Sequence, residues 1–312
     1  MSLAPDDWRV RLTHGLASLA ASALRPRYGG PIEQAVEPEG RPVARLNTLA
    51  WGEVTGDALP TLLLHGINAN ARYWTGVASR LSRHGRRVLA LDLRGHGATG
   101  PLSGGYTLEA MRDDLLAWLD ALQIQQVDLV GHSMGGKVAA DLAAAHPRRV
   151  RRLALADPVP PEGLHAFFDH VAALRRAVFA PERGPFTGAG QLAAAHRTIS
   201  WLRHADPWMH RAFDANFFTQ GDGTIHPVLD DAAYQQLFQG VLCCPSPLPL
   251  STVTMPVLLI RATFSVMPFG RQVRRLKRDL PQLEVQRLPG EHSLHATNPV
   301  GLADAVGRFL DR

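Results

Sequence analysis

The segment LVGHSMGGKVA (residues 129–139) places Ser133 between Gly131 and Gly135. The apolar run VDLV (127–130) precedes the serine and an alanine-rich run follows it, which predicts a strand, a tight turn and a helix. Gly-x-Ser-x-Gly alone is a weak motif in a chain with 28 glycines. On so tight a turn, however, bulky neighbours would clash, and the helix N-terminus would face developing negative charge. We therefore predict a nucleophilic serine; the alternative is an ordinary turn that contains a serine.

The rest of the chain alternates short apolar runs with helical patterns. Several runs have the length and apolar character of strands, and longer stretches between them show helical periodicity. The strand-like runs lie at 43–53, 61–66, 87–92, 127–132, 150–157, 256–262 and 284–290, and the helical stretches at 72–83, 108–122 and 134–145. This alternation predicts an α/β fold in which a mostly parallel, twisted sheet carries helices on both faces.

The alternation is interrupted once, over residues 158–252. This stretch holds 11 of the 21 aromatic residues and shows helical rather than strand periodicity. We interpret it as an inserted helical cap over the sheet edge where the loops converge; a second small domain without a role at the site is the alternative. The core is then expected over 43–157 and 253–312. Residues 1–42 are expected to form an N-terminal helix and a linker, the latter rich in proline and glycine over 25–42.

The composition argues against several classes of protein function. A net charge of +5 could indicate nucleic acid or an anionic membrane, but the arginines occur in scattered pairs that are typical of a solvated surface. Cys243 and Cys244 are adjacent and build no disulfide framework, and no Cys/His cluster has zinc-ligand spacing. No apolar run approaches the length of a membrane span. We expect a cytoplasmic protein that binds a small-molecule substrate without metal, cofactor or nucleic acid; homo-oligomerisation is left open.

A serine hydroxyl is a weak nucleophile that needs a base, and the base needs an acid to orient it. The segment LPGEHSLHATNPV (288–300) follows the last strand-like run and contains two histidines. We predict that His292 is the base, because a loop directly after a strand end holds a side chain most rigidly. His295 is the alternative, with packing as its more common role.

The segment LLLHGINANARYW (62–74) contains another strand end, followed by a His-Gly turn. We expect the backbone N–H of Ile67 to be free in this turn and to join the N–H of Met134 in an oxyanion hole. The alternative is an ordinary turn in which His65 bonds neighbouring backbone.

These motifs in this order resemble the α/β-hydrolase family. The resemblance covers roughly 43–157 and 253–312, and it rests on HGI (65–67), DLRGHG (92–97), GHSMGG (131–136) and GEHSLHATNP (290–299). It implies that Ser133 is the nucleophile, that His292 is the general base, and that the N–H groups of Ile67 and Met134 form the oxyanion hole. It also implies a structural role for Asp92 and Arg94, paired near the mouth of the site.

The chain departs from the family pattern at the acid. Most relatives carry an aspartate a few residues beyond the strand that corresponds to 256–262, but here no carboxylate occurs from 256 to 278 and Ser265 stands near the expected position. Some members of the family place the acid at the end of the strand after the nucleophile, where this chain has Asp157. The resemblance therefore favours Asp157 as the third member; a cap on the turn at Pro158 is the alternative. Ser265 is expected to contribute little, because a neutral hydroxyl supplies no charge.

The sequence therefore predicts a cofactor-free serine hydrolase that cleaves an ester or lactone through an acyl-enzyme. One alternative is an enzyme that uses the same triad on another bond: a carbon–carbon hydrolase, amidase, acyltransferase or perhydrolase. An alternative of another class is a non-catalytic binding protein on the same fold. Removal of the cap is expected to change substrate choice more than chemistry. Aromatic cap residues are expected to line an apolar pocket, although helix packing explains some of them: Trp201, Trp208, Phe213, Phe217 and Phe218.

Overall fold

The computed structural model describes residues 32–36, 46–53, 59–164, 184–199, 201–203, 205–246, 248–265, 267 and 272–312. The N-terminal helix expected from the sequence and residues 165–183 of the expected cap lie outside the described residues.

The strands of the described residues belong to one large sheet and one small one. They are β1 (Ile32–Val36), β2 (Leu46–Trp51), β3 (Thr61–Leu64), β4 (Val88–Leu91), β5 (Val127–His132), β6 (Val150–Ala156), β7 (Phe217–Thr219), β8 (Ile225–Pro227), β9 (Val257–Phe264) and β10 (Leu283–Glu291). The large sheet has the order β1-β2-β4-β3-β5-β6-β9-β10, and β7 pairs with β8.

Helices connect most of these strands within the described ranges. They are α1 (Thr75–Arg83), α2 (Leu108–Ala121), α3 (Met134–Ala145), α4 (Ala189–Thr198), α5 (Pro207–Asp214), α6 (Asp231–Leu237), α7 (Gln272–Asp279), α8 (Leu294–Thr297) and α9 (Pro299–Leu310). Side-chain caps begin three of them: Thr107 accepts the Ala110 N–H at α2, Asp230 accepts the Ala233 N–H at α6, and Asn298 accepts the Gly301 N–H at α9. Proline takes the first helical position of α9.

The direction of the strands brings the candidate residues together. In the large sheet, β4, β3, β5, β6, β9 and β10 pair in parallel with one another, whereas β2 pairs antiparallel with β1 and β4. The carboxyl ends of parallel strands meet at one edge of a sheet, which is where open α/β sheets bind ligands. The turn after β3, Ser133 after β5, Asp157 after β6 and His292 after β10 therefore lie at the same edge. The mostly parallel sheet predicted from the sequence is confirmed.

Helices cover both faces of the sheet and enclose two apolar cores. Successive strand residues face opposite sides, so Leu62 and Leu64 of β3 belong to one core and Leu63 to the other. The first core also takes buried residues of α2, α3 and α7, and the second takes those of α1 and α9. Trp118 and Phe309 are among the largest side chains buried in the two cores. This three-layer packing confirms the predicted α/β class.

Two parts of the chain differ from the sequence-based expectation. The segment read as a linker over 25–42 contains β1, which pairs antiparallel with β2 at the sheet edge. The inserted segment is not purely helical, because β7 and β8 form a two-stranded ladder between α5 and α6. A strand of three residues is too short to show a periodicity that can be told from a helical pattern. Among the described residues, no helix is both long and apolar enough to cross a bilayer.

Candidate active site

Ser133 lies in the turn between β5 and α3, with φ +53° and ψ −117°. Residues other than glycine seldom adopt this conformation, so the surrounding structure must hold it. Small neighbours make the turn possible. A Cβ at Gly135 would lie 2.5 Å from the carbonyl oxygens of Leu64 and His65, and one at Gly131 would overlap the backbone of Gly135. The two glycines therefore allow β3 and the start of α3 to approach the serine closely.

His292 contacts both other members of the expected triad. Its Nε2 lies 3.0 Å from Ser133 Oγ, and its Nδ1 lies 2.7 Å from Asp157 Oδ2. With Nδ1 protonated and donating to the carboxylate, Nε2 is left as an acceptor for the serine hydroxyl. The three residues come from the ends of β5, β6 and β10, and they form one continuous hydrogen-bonded chain.

The carboxyl group of Asp157 is fully buried, with a side-chain exposure of 0%. Burial would raise its pKa, but the hydrogen bond and charge interaction with His292, followed by hydrogen bonds from Ser265 and the Ala262 N–H, lower the pKa below the usual value. The backbone of Asp157 has φ +43°, and its N–H donates to the Ile260 carbonyl oxygen over 2.7 Å. The site thus holds a buried, ionised carboxylate in a fixed orientation.

Ser265 is part of this arrangement, which the sequence-based expectation did not anticipate. Its Oγ donates to Asp157 Oδ2 over 2.5 Å, the same oxygen that binds His292, and it accepts the Met267 N–H over 2.9 Å. The end of β9, where most relatives are expected to carry the acid, therefore faces the carboxylate supplied by β6. The sequence showed that Ser265 stands at the position where an acid was expected, but it did not predict the contact with Asp157.

The expected oxyanion donors flank the serine. Met134 is the first residue of α3, so its N–H has no partner in the preceding helical turn. The turn that carries Ile67 approaches the serine closely, because a Cβ at Gly66 would lie 3.1 Å from Ser133 Cβ. Within the part of the chain that the structure describes, neither the Ile67 nor the Met134 N–H has a hydrogen-bond acceptor. Both groups are free to meet a negative oxygen.

The alternative base, His295, does not contact Ser133. It is buried, with 1% exposure, and its ring packs against those of Tyr73, Trp74 and His132 at centroid distances of 5.4, 5.6 and 4.3 Å. Burial, together with the nearby histidines, lowers its pKa well below the usual value. The imidazole is therefore neutral near pH 7 and serves in packing.

His132, which precedes the serine in the motif, holds the loop of the base. Its Nε2 lies 2.9 Å from the His292 carbonyl oxygen. Burial lowers the pKa of His132 to about 3, so the ring stays neutral and donates through Nε2 to that carbonyl. The sequence-based reasoning missed this residue, although its position beside the nucleophile was a signal.

Comparison with known proteins shows the family of the chain. A family model described as the alpha/beta hydrolase fold matches residues 60–299. The chain belongs to the α/β-hydrolase family. The sn-1-specific diacylglycerol lipase ABHD11 of Mus musculus is 33% identical over 272 residues, which cover 84% of this chain and 85% of the relative.

Other matches are either more similar over a shorter stretch or less similar over most of the chain. The 2-hydroxymuconate semialdehyde hydrolase of Pseudomonas putida is 44% identical over 102 residues, but these cover only 32% of this chain and 36% of the relative. The solved structure of an E-2-(acetamidomethylene)succinate hydrolase superposes with a TM-score of 0.72 at 24% identity, and the match covers 90% of this chain and 100% of that one. The solved structure supports the fold alone, whereas the relatives include proteins named as a lipase and as a semialdehyde hydrolase.

Several aromatic residues of the inserted segment pack together in a small apolar core. Phe213 and Phe217 are 5% and 8% exposed, and their ring centroids lie 5.3 Å apart. Trp201 packs against Phe213 at 6.2 Å and against Tyr73 of the main domain at 5.9 Å. Packing, the alternative weighed for these residues, accounts for the burial of Phe213 and Phe217.

Trp208 and Phe218 occupy other surroundings. Trp208 packs over Gly76 of α1, where an added Cβ would lie 2.9 Å from the indole ring, and its Nε1 donates to Asp206 over 3.3 Å. The Phe218 ring lies beside His226 across the β7–β8 ladder, at 6.0 Å. Trp208 therefore packs the inserted segment against α1, whereas Phe218 packs within the β7–β8 hairpin.

Asp92 and Arg94 do not pair with each other, contrary to the expectation. Asp92 accepts the N–H groups of Ala71 and Ala98 over 2.6 and 2.8 Å, while Arg94 forms two hydrogen bonds to Asp114, over 2.6 and 2.7 Å. Both side chains are buried, so each needs its own partners. In the described ranges, no group of three or more His, Cys, Asp or Glu side chains is arranged to hold a metal ion.

Proposed function

We propose that this hydrolase cleaves a carboxylic ester or lactone of an apolar or aromatic small molecule through an acyl-enzyme. The observation that carries the proposal is the continuous chain from Ser133 Oγ to His292 at 3.0 Å and from His292 to Asp157 at 2.7 Å. A serine with a base and a buried carboxylate in contact is the arrangement that makes a hydroxyl nucleophilic.

In the proposed reaction, Ser133 attacks the carbonyl carbon while His292 takes the hydroxyl proton. Asp157 keeps the imidazole in the required tautomer and stabilises its positive charge. The N–H groups of Ile67 and Met134 stabilise the oxyanion of the tetrahedral intermediate, and His292 then protonates the leaving alcohol. Water, activated by the same histidine, releases the acyl group and restores the serine.

The choice of an ester is supported by the relative that matches along most of both chains, which is named as a lipase of diacylglycerol. The choice of an apolar or aromatic substrate is supported by the aromatic content of the inserted segment, which holds 11 of the 21 aromatic residues. A series of packed rings connects this segment to the base. Trp201 contacts Tyr73, Tyr73 contacts His295, and His295 contacts His132, which in turn packs against His292 at 4.8 Å. The inserted segment, proposed as a cap over 158–252, thereby reaches the surroundings of the base.

The bond class is tested with a panel of matched substrates. The purified full chain is assayed against p-nitrophenyl butyrate, the matching p-nitroanilide and a vinylogous 1,5-diketone, which represent ester, amide and carbon–carbon cleavage. We expect the highest kcat/KM on the ester. A preference for the diketone would instead support carbon–carbon hydrolysis, which uses the same serine, base and acid.

Ser265→Ala is expected to lower kcat/KM on the ester by about tenfold, since about 1.4 kcal/mol corresponds to a factor of ten and a hydrogen bond to a charged group is worth about 1.5–3 kcal/mol. The physical reason is that Asp157 loses one of the donors that hold its carboxylate. The Ser265 hydroxyl also helps to lower the pKa of Asp157, so its loss should raise that pKa and move the acidic limb of the pH–rate profile to higher pH.

The matched control is Ser265→Thr, which keeps the hydroxyl and should keep both the rate and the pH profile near those of the wild type. An alanine variant with unchanged kcat/KM and an unchanged pH profile would show that the contact has no part in catalysis.

A further inference from the structure

The turn that carries the Ile67 N–H is held in an uncommon backbone conformation. Asn68, the next residue, has φ +57°. Asparagine tolerates this left-handed region better than most residues, but such a conformation persists only where neighbouring groups fix it. The contacts that fix the turn therefore bear on the position of the expected oxyanion donor.

Those contacts come from the inserted segment. Asn216, between α5 and β7, donates from Nδ2 to the Asn68 carbonyl oxygen over 2.9 Å and to the Tyr73 hydroxyl over 3.0 Å. Its Oδ1 accepts from Asn70 Nδ2 over 2.8 Å, and the other Asn70 N–H donates to the Ala212 carbonyl oxygen over 2.7 Å. Asn216 thus binds three residues of the turn at once.

The side-chain amides of Asn70 and Asn216 are oriented so that every amide N–H has a hydrogen-bond acceptor. Both N–H groups of Asn216 and both of Asn70 have acceptors, and Asn70 Oδ1 accepts the Arg72 N–H over 3.0 Å. Asn70 is 1% exposed, so its polar atoms have little access to water. A network that is buried at Asn70 and partly buried at Asn216 is rigid when complete, and it leaves costly unsatisfied groups when one member is removed.

The network is also anchored on both sides. The backbone of Asn216 is fixed because its N–H donates to the Phe213 carbonyl oxygen over 3.0 Å and its carbonyl accepts the Val228 N–H over 2.8 Å. On the other side, the Ala71 N–H donates to buried Asp92 over 2.6 Å. The turn therefore lies between the inserted segment and the core.

We propose that Asn216 is a positioning residue for the oxyanion hole, through which the inserted segment holds the Ile67 N–H against the reacting carbonyl. The inference rests on the proposed function, in which that N–H stabilises the oxyanion. It assigns the segment a part in the chemistry as well as in substrate choice. It thereby differs from the expectation that removal of the segment changes substrate choice more than chemistry.

The test is Asn216→Ala in the full chain, with p-nitrophenyl acetate as the substrate and phenylboronic acid as the transition-state analogue. Loss of a complete oxyanion donor costs about 10²–10³ in kcat. Because Asn216→Ala loosens the donor without deleting it, we expect kcat to fall by about 10- to 100-fold. Boronate affinity should weaken by a similar factor, because its tetrahedral oxygen occupies the same hole, whereas KM should stay within about threefold.

The matched control is Gln220→Ala in the same segment, since Gln220 is exposed and its hydrogen bonds in the described residues are made by its backbone. This control should match the wild type in kcat, KM and boronate affinity. A folded Asn216→Ala protein with kcat and boronate affinity within twofold of the wild type would overturn the proposal. A fall in kcat without weaker boronate binding would overturn it as well.

If Asn216→Ala does not fold, Tyr73→Phe gives the same information, since it removes one acceptor of the Asn216 amide. A parallel, severalfold loss of kcat and boronate affinity supports the proposal, and an unchanged kcat contradicts it. Failure of the proposed function has a different signature: Ser133→Ala would then retain turnover, whatever the behaviour of Asn216.

Discussion

Ser133→Ala is expected to lower kcat for p-nitrophenyl ester hydrolysis by about 10⁶-fold, the size of the loss when a triad nucleophile is removed from a comparable enzyme. The physical reason is that no other hydroxyl contacts His292 Nε2 in the described residues. The fold should persist, because alanine differs from serine by one atom and both face the same backbone strain at φ +53°. Thermal unfolding measured by circular dichroism checks that the variant is folded. Stopped-flow assays measure the fast wild-type turnover, and assays over long incubation measure the slow turnover of the variant.

The control for this experiment is Ser82→Ala, on α1 and remote in sequence from the site. Its hydroxyl donates to the Ser79 carbonyl oxygen over 3.1 Å, within the same helix. The control should retain wild-type kcat. More than about 1% residual activity in Ser133→Ala, against the roughly 10⁶-fold loss expected for a nucleophile, would rule out the proposed mechanism.

Asp157→Asn is expected to lower kcat by about 10⁴-fold, as loss of the corresponding charge does in a comparable triad. An amide has nearly the shape of the carboxylate, but it cannot stabilise the imidazolium and can present an N–H to His292 Nδ1. The histidine would then adopt the wrong tautomer. The 2.7 Å contact and the complete burial of Asp157 make solvent a poor substitute for the lost charge.

Two further variants sharpen this prediction. Asp120→Asn removes a carboxylate that is 68% exposed and pairs with Arg149, so it should leave kcat unchanged. Asp157→Ala combined with Ser265→Asp moves the carboxylate to the end of β9, and partial recovery is expected because Ser265 Oγ lies 2.5 Å from the oxygen that binds His292. Asp157→Asn with kcat within tenfold of the wild type would contradict the assignment of the acid.

The sequence was sufficient to predict the sheet class and the positions of the candidate triad. The Gly-x-Ser-x-Gly pattern around Ser133 could be recognised in the sequence, although Gly135 is required by the approach of the distant β3. His292 could be preferred over His295 because it directly follows a strand. Asp157 was favoured by the resemblance to the α/β-hydrolase family, some members of which place the acid at that strand end, because no carboxylate occurs from 256 to 278. Each of these residues lies near the end of a predicted strand.

The remaining features depend on contacts between distant parts of the chain. The hydrogen bond from Asn216 to Asn68 spans 148 residues, and that from Ser265 to Asp157 spans 108. Neither is visible in hydrophobic periodicity, which reports the environment of one element at a time. Aromatic content was also ambiguous, because Phe213 and Phe217 pack into a core of the inserted segment as readily as such residues line a pocket.

The identity of the nucleophile is the central claim, and covalent labelling tests it most directly. The full chain is treated with a fluorophosphonate, and the modified residue is located by peptide mass spectrometry. A single phosphonyl group on Ser133, together with loss of ester hydrolysis and no labelling of Ser133→Ala, is the predicted result. An ester-hydrolysing protein that stays unlabelled, or one that carries the group on another residue, would contradict the account.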